Sequence, residues 1–147
     1  MIEILKILII EDDSKRIRKL EEWLPTDFQG VFVKSVGRTI ELLEYYNFRD
    51  NGQVYAGIML DLDLQQQVAT GADQDLSGST VIKSIIRYMS VDIPILIHSR
   101  TLKRVIYMEE KLSDAGFIVT RMPMDQMDKD LLRRWLGGVR ANWLDLF

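Results

Sequence analysis

The sequence predicts one α/β domain in which five strands alternate with five helices, a (βα)5 doubly wound parallel sheet. Continuous runs of branched apolar residues indicate strands that are buried on both faces, and apolar residues spaced three and four apart indicate amphipathic helices. These two patterns alternate strictly along the 147 residues. Parallel strands need crossover connections, and right-handed crossovers place helices on both faces of the sheet.

The first half of the chain contains three of the five predicted strands. They run from Ile4 to Ile10, from Val31 to Val36 and from Tyr55 to Leu60. The first helix follows the first strand, with Asp13 or Ser14 placed to cap its free amides and Pro25 closing it. The second helix is expected from Thr39 to Phe48, where an apolar stripe recurs at helical spacing.

The second half begins with a polar segment that has neither period, which predicts an insertion loop at about 64–77. The third helix is expected to start near Ser79. The fourth strand should run from Ile95 to His98 and the fifth from Phe117 to Thr120, separated by a helix that Gly116 ends. A last helix follows, and no domain boundary interrupts residues 1–147.

The composition limits the classes of function. There are no cysteines, which excludes disulfides and thiolate metal sites and makes a reducing, cytoplasmic compartment the expected location. Nineteen basic residues against twenty-two acidic ones give a net charge of −3, so no overall field attracts nucleic acid or an anionic membrane. No apolar run approaches the length of a membrane span, and no secretory signal is present.

Acidic side chains follow two strands that should lie side by side. Glu11 and Asp12 end the first strand, and Asp61 and Asp63 follow the third. In open α/β sheets, ligands bind beyond the carboxyl ends of the strands. Two carboxylates about 4 Å apart repel by about 4 kcal/mol at an effective dielectric near 20, so Asp12 and Asp61 need a proton or a cation between them. An all-oxygen site favours Mg²⁺ or Ca²⁺.

Several of these segments resemble the response-regulator receiver family, in order along most of the chain. The matching segments are Lys6-Ile-Leu-Ile-Ile-Glu-Asp12, Gly57-Ile-Met-Leu-Asp61, Leu76-Ser-Gly78 and Ile93-Pro-Ile-Leu-Ile-His-Ser99. The resemblance implies a CheY-like, flavodoxin-like sheet with strand order 2-1-3-4-5. It also implies that Gly78 opens the third helix.

By the same resemblance, Asp61 would be the phosphoacceptor of a phosphorelay and would form an aspartyl phosphate. Asp12, Asp61 and the carbonyl of Asp63 would hold Mg²⁺, with Glu11 acting through a water, and the Ser99 hydroxyl would contact the phosphoryl group. The implied partners are a sensor histidine kinase or another phosphodonor, and a downstream protein. A homodimer through the last helix remains open.

The sequence departs from the family at the end of the fifth strand. Where receivers have Lys-Pro, this chain has Met122 before Pro123. Arg121 is adjacent, but neighbouring strand residues point to opposite faces, so Arg121 can replace the lysine only if the strand end bulges. The basic cluster Lys15, Arg16, Arg18 and Lys19 is interpreted as a solvated helix face.

Two other functions stay open. The combination of Asp61, Asp63, a long loop and His98-Ser99 also resembles receiver-derived domains that are predicted to process cyclic phosphates at RNA ends. There His98 would be a general acid or base, and Arg100 and Arg121 would hold phosphate oxygens. The third alternative is a pseudo-receiver that is not phosphorylated and acts by protein contact, which Met122 favours.

Overall fold

The computed structural model contains the predicted five-stranded parallel sheet, with strands in the order β2-β1-β3-β4-β5. The structure describes residues 3–63 and 71–146, and only the backbone of 71–77. The strands are β1 (Leu5–Ile10), β2 (Phe28–Val33), β3 (Tyr55–Leu60), β4 (Ile95–Ile97) and β5 (Val119–Arg121). The helices are α1 (Ser14–Trp23), α2 (Val36–Tyr45), α3 (Phe48–Asn51), α4 (Gly71–Tyr88), α5 (Leu102–Asp114) and α6 (Lys129–Leu146).

Each face of the sheet is covered by its own hydrophobic layer. On one face the strands pack against α2, α4 and α5, and on the other against α1 and α6. β3 is buried at all six positions, which fits its place in the middle of the sheet. Its Gly57 allows close packing, since a Cβ there would lie 3.2 Å from the Trp135 ring of α6 and 3.3 Å from the Pro94 carbonyl.

The expected insertion loop at 64–77 is wrong for its second half, because α4 begins at Gly71. Gly78 therefore lies inside this helix and does not open it. An established helix extends by one backbone hydrogen bond for each added residue, so it can continue through a segment that has no apolar stripe. Residues 64–70 lie outside the part of the chain that the structure describes.

Three other predicted elements have boundaries that shift by two or three residues. β2 begins at Phe28, which pairs with Leu5, and ends at Val33 because Ser35 leaves the sheet to cap α2. That cap also starts α2 at Val36, three residues early. β5 begins at Val119 because the amide of Phe117 still donates to Leu112 at the end of α5. The second helix, predicted to run to Phe48, ends at Tyr45, and the short helix α3 begins at Phe48.

The part of the chain that the structure describes contains no helix that is both long enough and apolar enough to span a bilayer.

The turn after α5 provides a test of the fold. Gly116 has a φ of 104°, which side-chain-bearing residues rarely adopt, whereas Gly137 lies exposed in α6 with open space around it. We expect Gly116→Ala to lower the free energy of unfolding by about 1–3 kcal/mol. The matched Gly137→Ala should raise it by about 0.5–1 kcal/mol. Urea unfolding of both variants measures the two values, and an unchanged Gly116→Ala would contradict the turn geometry.

Candidate functional site

Four side chains form one row across the carboxyl edge of the sheet. The register pairs Ile10 with Leu60, Leu60 with Ile97, and Ile97 with Arg121, so the next residues are neighbours too. The backbone bonds continue through this row, with amide-to-carbonyl distances of 2.9–3.0 Å. The row is Glu11, Asp61, His98 and Met122.

Glu11 is fully buried, and both of its carboxylate oxygens have partners. Oε2 accepts from the amides of Asp12 at 3.0 Å and Asp13 at 3.2 Å. Oε1 lies 3.0 Å from Arg16 Nε and 3.3 Å from His98 Nε2. Burial acts to raise the pKa of the Glu11 carboxyl, but His98, the Asp13 amide and Arg16 together hold this pKa below its ordinary value. Glu11 is therefore a fixed negative charge inside the protein.

Asp61 is the second buried carboxylate, with 2% of its surface exposed. Its Oδ1 accepts from the Ser99 hydroxyl at 3.1 Å and from the Asp63 amide at 2.9 Å. The Ser99 oxygen also accepts from the Leu62 amide at 3.1 Å, which fixes the serine toward Asp61. Burial raises the pKa of the Asp61 carboxyl; the nearby Glu11 adds to the rise, and His98 opposes it.

Arg16 joins these two carboxylates, although the sequence had placed it on a solvated helix face. Its Nε lies 3.0 Å from Glu11, and its terminal nitrogen lies 3.5 Å from Asp61 Oδ2. The local sequence fixes this position, because Asp13 caps α1, as predicted, by accepting from the amides of Lys15 and Arg16 at 3.0 Å each. The hydrophobic periodicity of α1 could not indicate this contact, because Arg16 lies beside the apolar stripe that begins at the buried Ile17. Its side chain is nevertheless only 17% exposed.

His98 is 1% exposed and faces Glu11 through Nε2. Among the described residues, neither of its ring nitrogens has a hydrogen-bond partner, although Nε2 lies 3.3 Å from Glu11 Oε1. The ligand atoms of Glu11, Asp61 and His98 all lie within 4.8 Å of one another. The imidazole is therefore part of the acidic cluster and not a hydrogen-bonded core residue.

Asp12 and Asp63 were also assigned to the metal, but neither belongs to that 4.8 Å set among the described residues. Asp12 is buried and follows Glu11, whereas the strand register brings Glu11 beside Asp61. The Asp63 carboxylate pairs with Arg104 and accepts from the amide of Thr101 at 3.3 Å, so it anchors the start of α5. Metal binding by either residue stays a prediction.

Arg121 points away from the row, as strand alternation requires. Its guanidinium pairs with Glu109 of α5. Met122 occupies the row position next to His98 and packs partly buried against the core on the α1 and α6 side. A role for Arg121 at phosphate thus remains a prediction that this pairing does not support.

A cavity of about 470 Å³ opens beside Asp61. Two arginines and three acids line it, together with one threonine: Arg16, Arg100, Asp61, Asp63, Asp125 and Thr101. Asp61 and Arg16 thus face a space that is large enough for a small phosphorylated molecule. The guanidinium of Arg16 is reachable from that space, whereas His98 is not among the residues that line it.

The residues present fit a divalent cation by charge and by donor type. Glu11 and Asp61, the two buried carboxylates of the row, lie against the single positive charge of Arg16, which leaves one negative charge in this set when His98 is counted as neutral. Carboxylate oxygens suit Mg²⁺, and an imidazole nitrogen within 4.8 Å also suits Mn²⁺. Glu11 and Asp61 are the residues that would hold the ion.

Comparison with protein-family models and with curated protein sequences gives no match. Solved structures do match. The receiver domain of the sensor histidine kinase PA1611 from Pseudomonas aeruginosa, solved with magnesium in its active site cleft, has a TM-score of 0.58 at 18% identity and covers 90% of this chain and 94% of its own. A response regulator receiver protein from Sinorhizobium medicae has a TM-score of 0.57 at 18% identity, and the match covers 97% of this chain and 99% of that chain.

The phosphorylated cyanobacterial phytochrome response regulator RcpA gives a TM-score of 0.58 at 21% identity, with 96% of this chain and 94% of that chain covered. At these identities the likeness establishes the fold. The chain therefore has the flavodoxin-like fold of response-regulator receiver domains, which confirms the predicted strand order and fold class.

The raised pKa of Asp61 predicts a gain in stability when its charge is removed. In metal-free buffer at pH 7, Asp61→Asn should have a larger free energy of unfolding than the wild type. The difference between the two free energies of unfolding should narrow as the pH falls. The reason is that Asp61 takes up a proton at a higher pH in the folded wild type than in the unfolded chain. Urea unfolding across that pH range measures the gap.

Asp63→Asn is the matched control for this prediction. Its carboxylate is paired with Arg104, so the same substitution should bring no gain. A wild type more stable than Asp61→Asn at pH 7 would contradict the electrostatic description of the site.

Proposed function

We propose that the protein is an atypical response-regulator receiver domain whose Asp61 accepts a phosphoryl group in the presence of Mg²⁺. One observation carries the proposal: in a receiver fold, a buried carboxylate lies at the carboxyl edge of the central strand, next to a second carboxylate, and faces a cavity. Ligands of open α/β sheets bind at this edge.

The surroundings of Asp61 suit a carboxylate that acts as a nucleophile. Ser99 and the Asp63 amide hold Oδ1, so Oδ2 is the oxygen on the side of Arg16. A bound Mg²⁺ would offset negative charge on the phosphoryl oxygens as the carboxylate approaches. The partners that follow are a phosphodonor, such as a histidine kinase, and a downstream protein that reads the modified state. Both would act in the cytoplasm.

Phosphorylation by a small donor tests the proposal. After incubation with acetyl phosphate and Mg²⁺, intact-mass measurement should find one added phosphoryl group on the wild type and none on Asp61→Asn. Omission of Mg²⁺ should abolish the addition. Asp125→Asn, which removes another carboxylate from the same cavity, should be modified like the wild type.

A wild type that remains unmodified under these conditions, or an Asp61→Asn variant that is modified equally, would contradict the phosphoacceptor role. The first result, combined with an intact fold, would favour the pseudo-receiver alternative, in which the domain acts only by protein contact.

The contact between His98 and Glu11 favours a second candidate, a metal-dependent phosphoesterase that acts on cyclic phosphates at RNA ends. A buried imidazole beside a carboxylate is a common arrangement for a general acid or base. This candidate is weakened by the position of His98, which is buried and does not line the cavity. A substrate in the cavity would therefore meet Asp61 and Arg16 first.

Hydrolysis of an oligonucleotide that ends in a 2′,3′-cyclic phosphate distinguishes the two candidates. The phosphoesterase predicts multiple turnovers with Mg²⁺ or Mn²⁺ and their loss in His98→Gln, which keeps a polar side chain of similar size. If the protein is instead a phosphoacceptor, the wild type should not turn over this substrate. The His98→Gln variant should then still be modified by acetyl phosphate.

A further inference from the structure

We infer that Arg16 is a catalytic residue of this site: its guanidinium neutralises Asp61 and then binds the oxygens of the phosphoryl group that Asp61 accepts. The inference rests on the proposed function and extends it to a residue on α1. Its geometric basis is the bridge that Arg16 makes, 3.0 Å from Glu11 Oε1 and 3.5 Å from Asp61 Oδ2, at the wall of the cavity.

The helix dipole disfavours a positive charge at the position of Arg16, in the first turn of α1. The Asp13 carboxylate, which caps this helix, offsets part of that cost. The two buried carboxylates of the row add to this stabilisation, because Arg16 lies within 3.5 Å of both.

Arg16 is also the cation best placed for the new negative charge. Arg121 is paired with Glu109, and Met122 provides no charge where the row ends. Arg100 lines the same cavity from an exposed position, whereas Arg16 lies directly against Asp61. Arg16 Nε lies 3.0 Å from Glu11 Oε1 and one terminal nitrogen lies 3.5 Å from Asp61 Oδ2, so the guanidinium bridges the two carboxylates at the wall of the cavity. A guanidinium held in this way can donate two parallel hydrogen bonds to phosphoryl oxygens.

In the transfer step, one carboxylate oxygen of Asp61 forms a bond to the phosphorus of acetyl phosphate. The bond between phosphorus and the acetate oxygen breaks, and acetate leaves with the electron pair. Nothing is oxidised or reduced, and Arg16 keeps its proton throughout. It stabilises the charge that spreads over the three other phosphoryl oxygens, as a fixed cation does in phosphoryl transfer.

Three variants test this inference by the rate of phosphorylation with acetyl phosphate and Mg²⁺, followed by intact mass. Arg16→Gln should react about 100-fold more slowly than the wild type, the usual loss for one donor to developing charge. Arg16→Lys, which keeps the charge, should regain part of the rate. Arg18→Gln removes the same charge from an exposed position of the same helix and should react like the wild type.

Mg²⁺ affinity, measured by calorimetric titration, separates this role from a structural one. Without its internal cation the pocket is more negative, so Arg16→Gln should bind Mg²⁺ more tightly than the wild type while it reacts more slowly. Structural damage to the site would instead lower both the Mg²⁺ affinity and the rate of phosphorylation. Losses in both quantities, with no recovery in Arg16→Lys, would overturn the inference.

An Arg16→Gln variant that reacts at the wild-type rate would also overturn it, and would leave the phosphoacceptor function intact. A wild type that is never modified would instead refute the proposed function, and the role of Arg16 with it.

Discussion

The arrangement of the site depends on the register of three parallel strands. Because β1, β3 and β4 end at the same level, the residues that follow them, Glu11, Asp61 and His98, lie side by side on one face of the sheet. The carboxylates of Glu11 and Asp61, with oxygens within 4.8 Å of each other, repel each other inside the protein. The fold accommodates them because backbone amides, a serine hydroxyl and Arg16 surround them.

This constraint explains why the two carboxylates behave differently. Glu11 accepts from two amides and lies against Arg16 and His98, and its pKa is lowered. Asp61 accepts from one amide and one hydroxyl, lies against Glu11 and faces the cavity, and its pKa is raised. The first is a fixed charge that orients Arg16. The second is the less stabilised of the two, as expected of a reacting group.

The sequence predicted the sheet well because strands buried on both faces have an unambiguous pattern. Tyr55–Leu60 appears at its predicted bounds. Helix starts were predicted less well, since α4 extends back to Gly71 through residues with no apolar stripe, and Ser35 moves the start of α2. Local hydrogen bonds set these boundaries, and a hydrophobic period does not report them.

The sequence predicted that Asp61, Ser99, His98 and Glu11 lie together at one edge of the sheet, and they do, but it paired Asp61 with Asp12 and not with Glu11. The register between strands decides which of two consecutive acids faces the third strand. The sequence of a single strand does not contain that register. Arg16 was missed for a similar reason. It lies in a run of basic residues on an amphipathic helix, and only the crossover from β1 into α1 brings it over the two carboxylates.

A crystal structure of the protein with Mg²⁺ and beryllofluoride, a mimic of the phosphoryl group, would show whether Asp61 accepts the group and whether Arg16 binds it. We expect beryllium bonded to Asp61 Oδ2, the Ser99 hydroxyl still on the aspartate or on fluoride, and the Arg16 guanidinium within hydrogen-bond distance of a fluoride. A fluoride adduct that leaves Arg16 turned to solvent, or a cavity in which no adduct forms at Asp61, would contradict it.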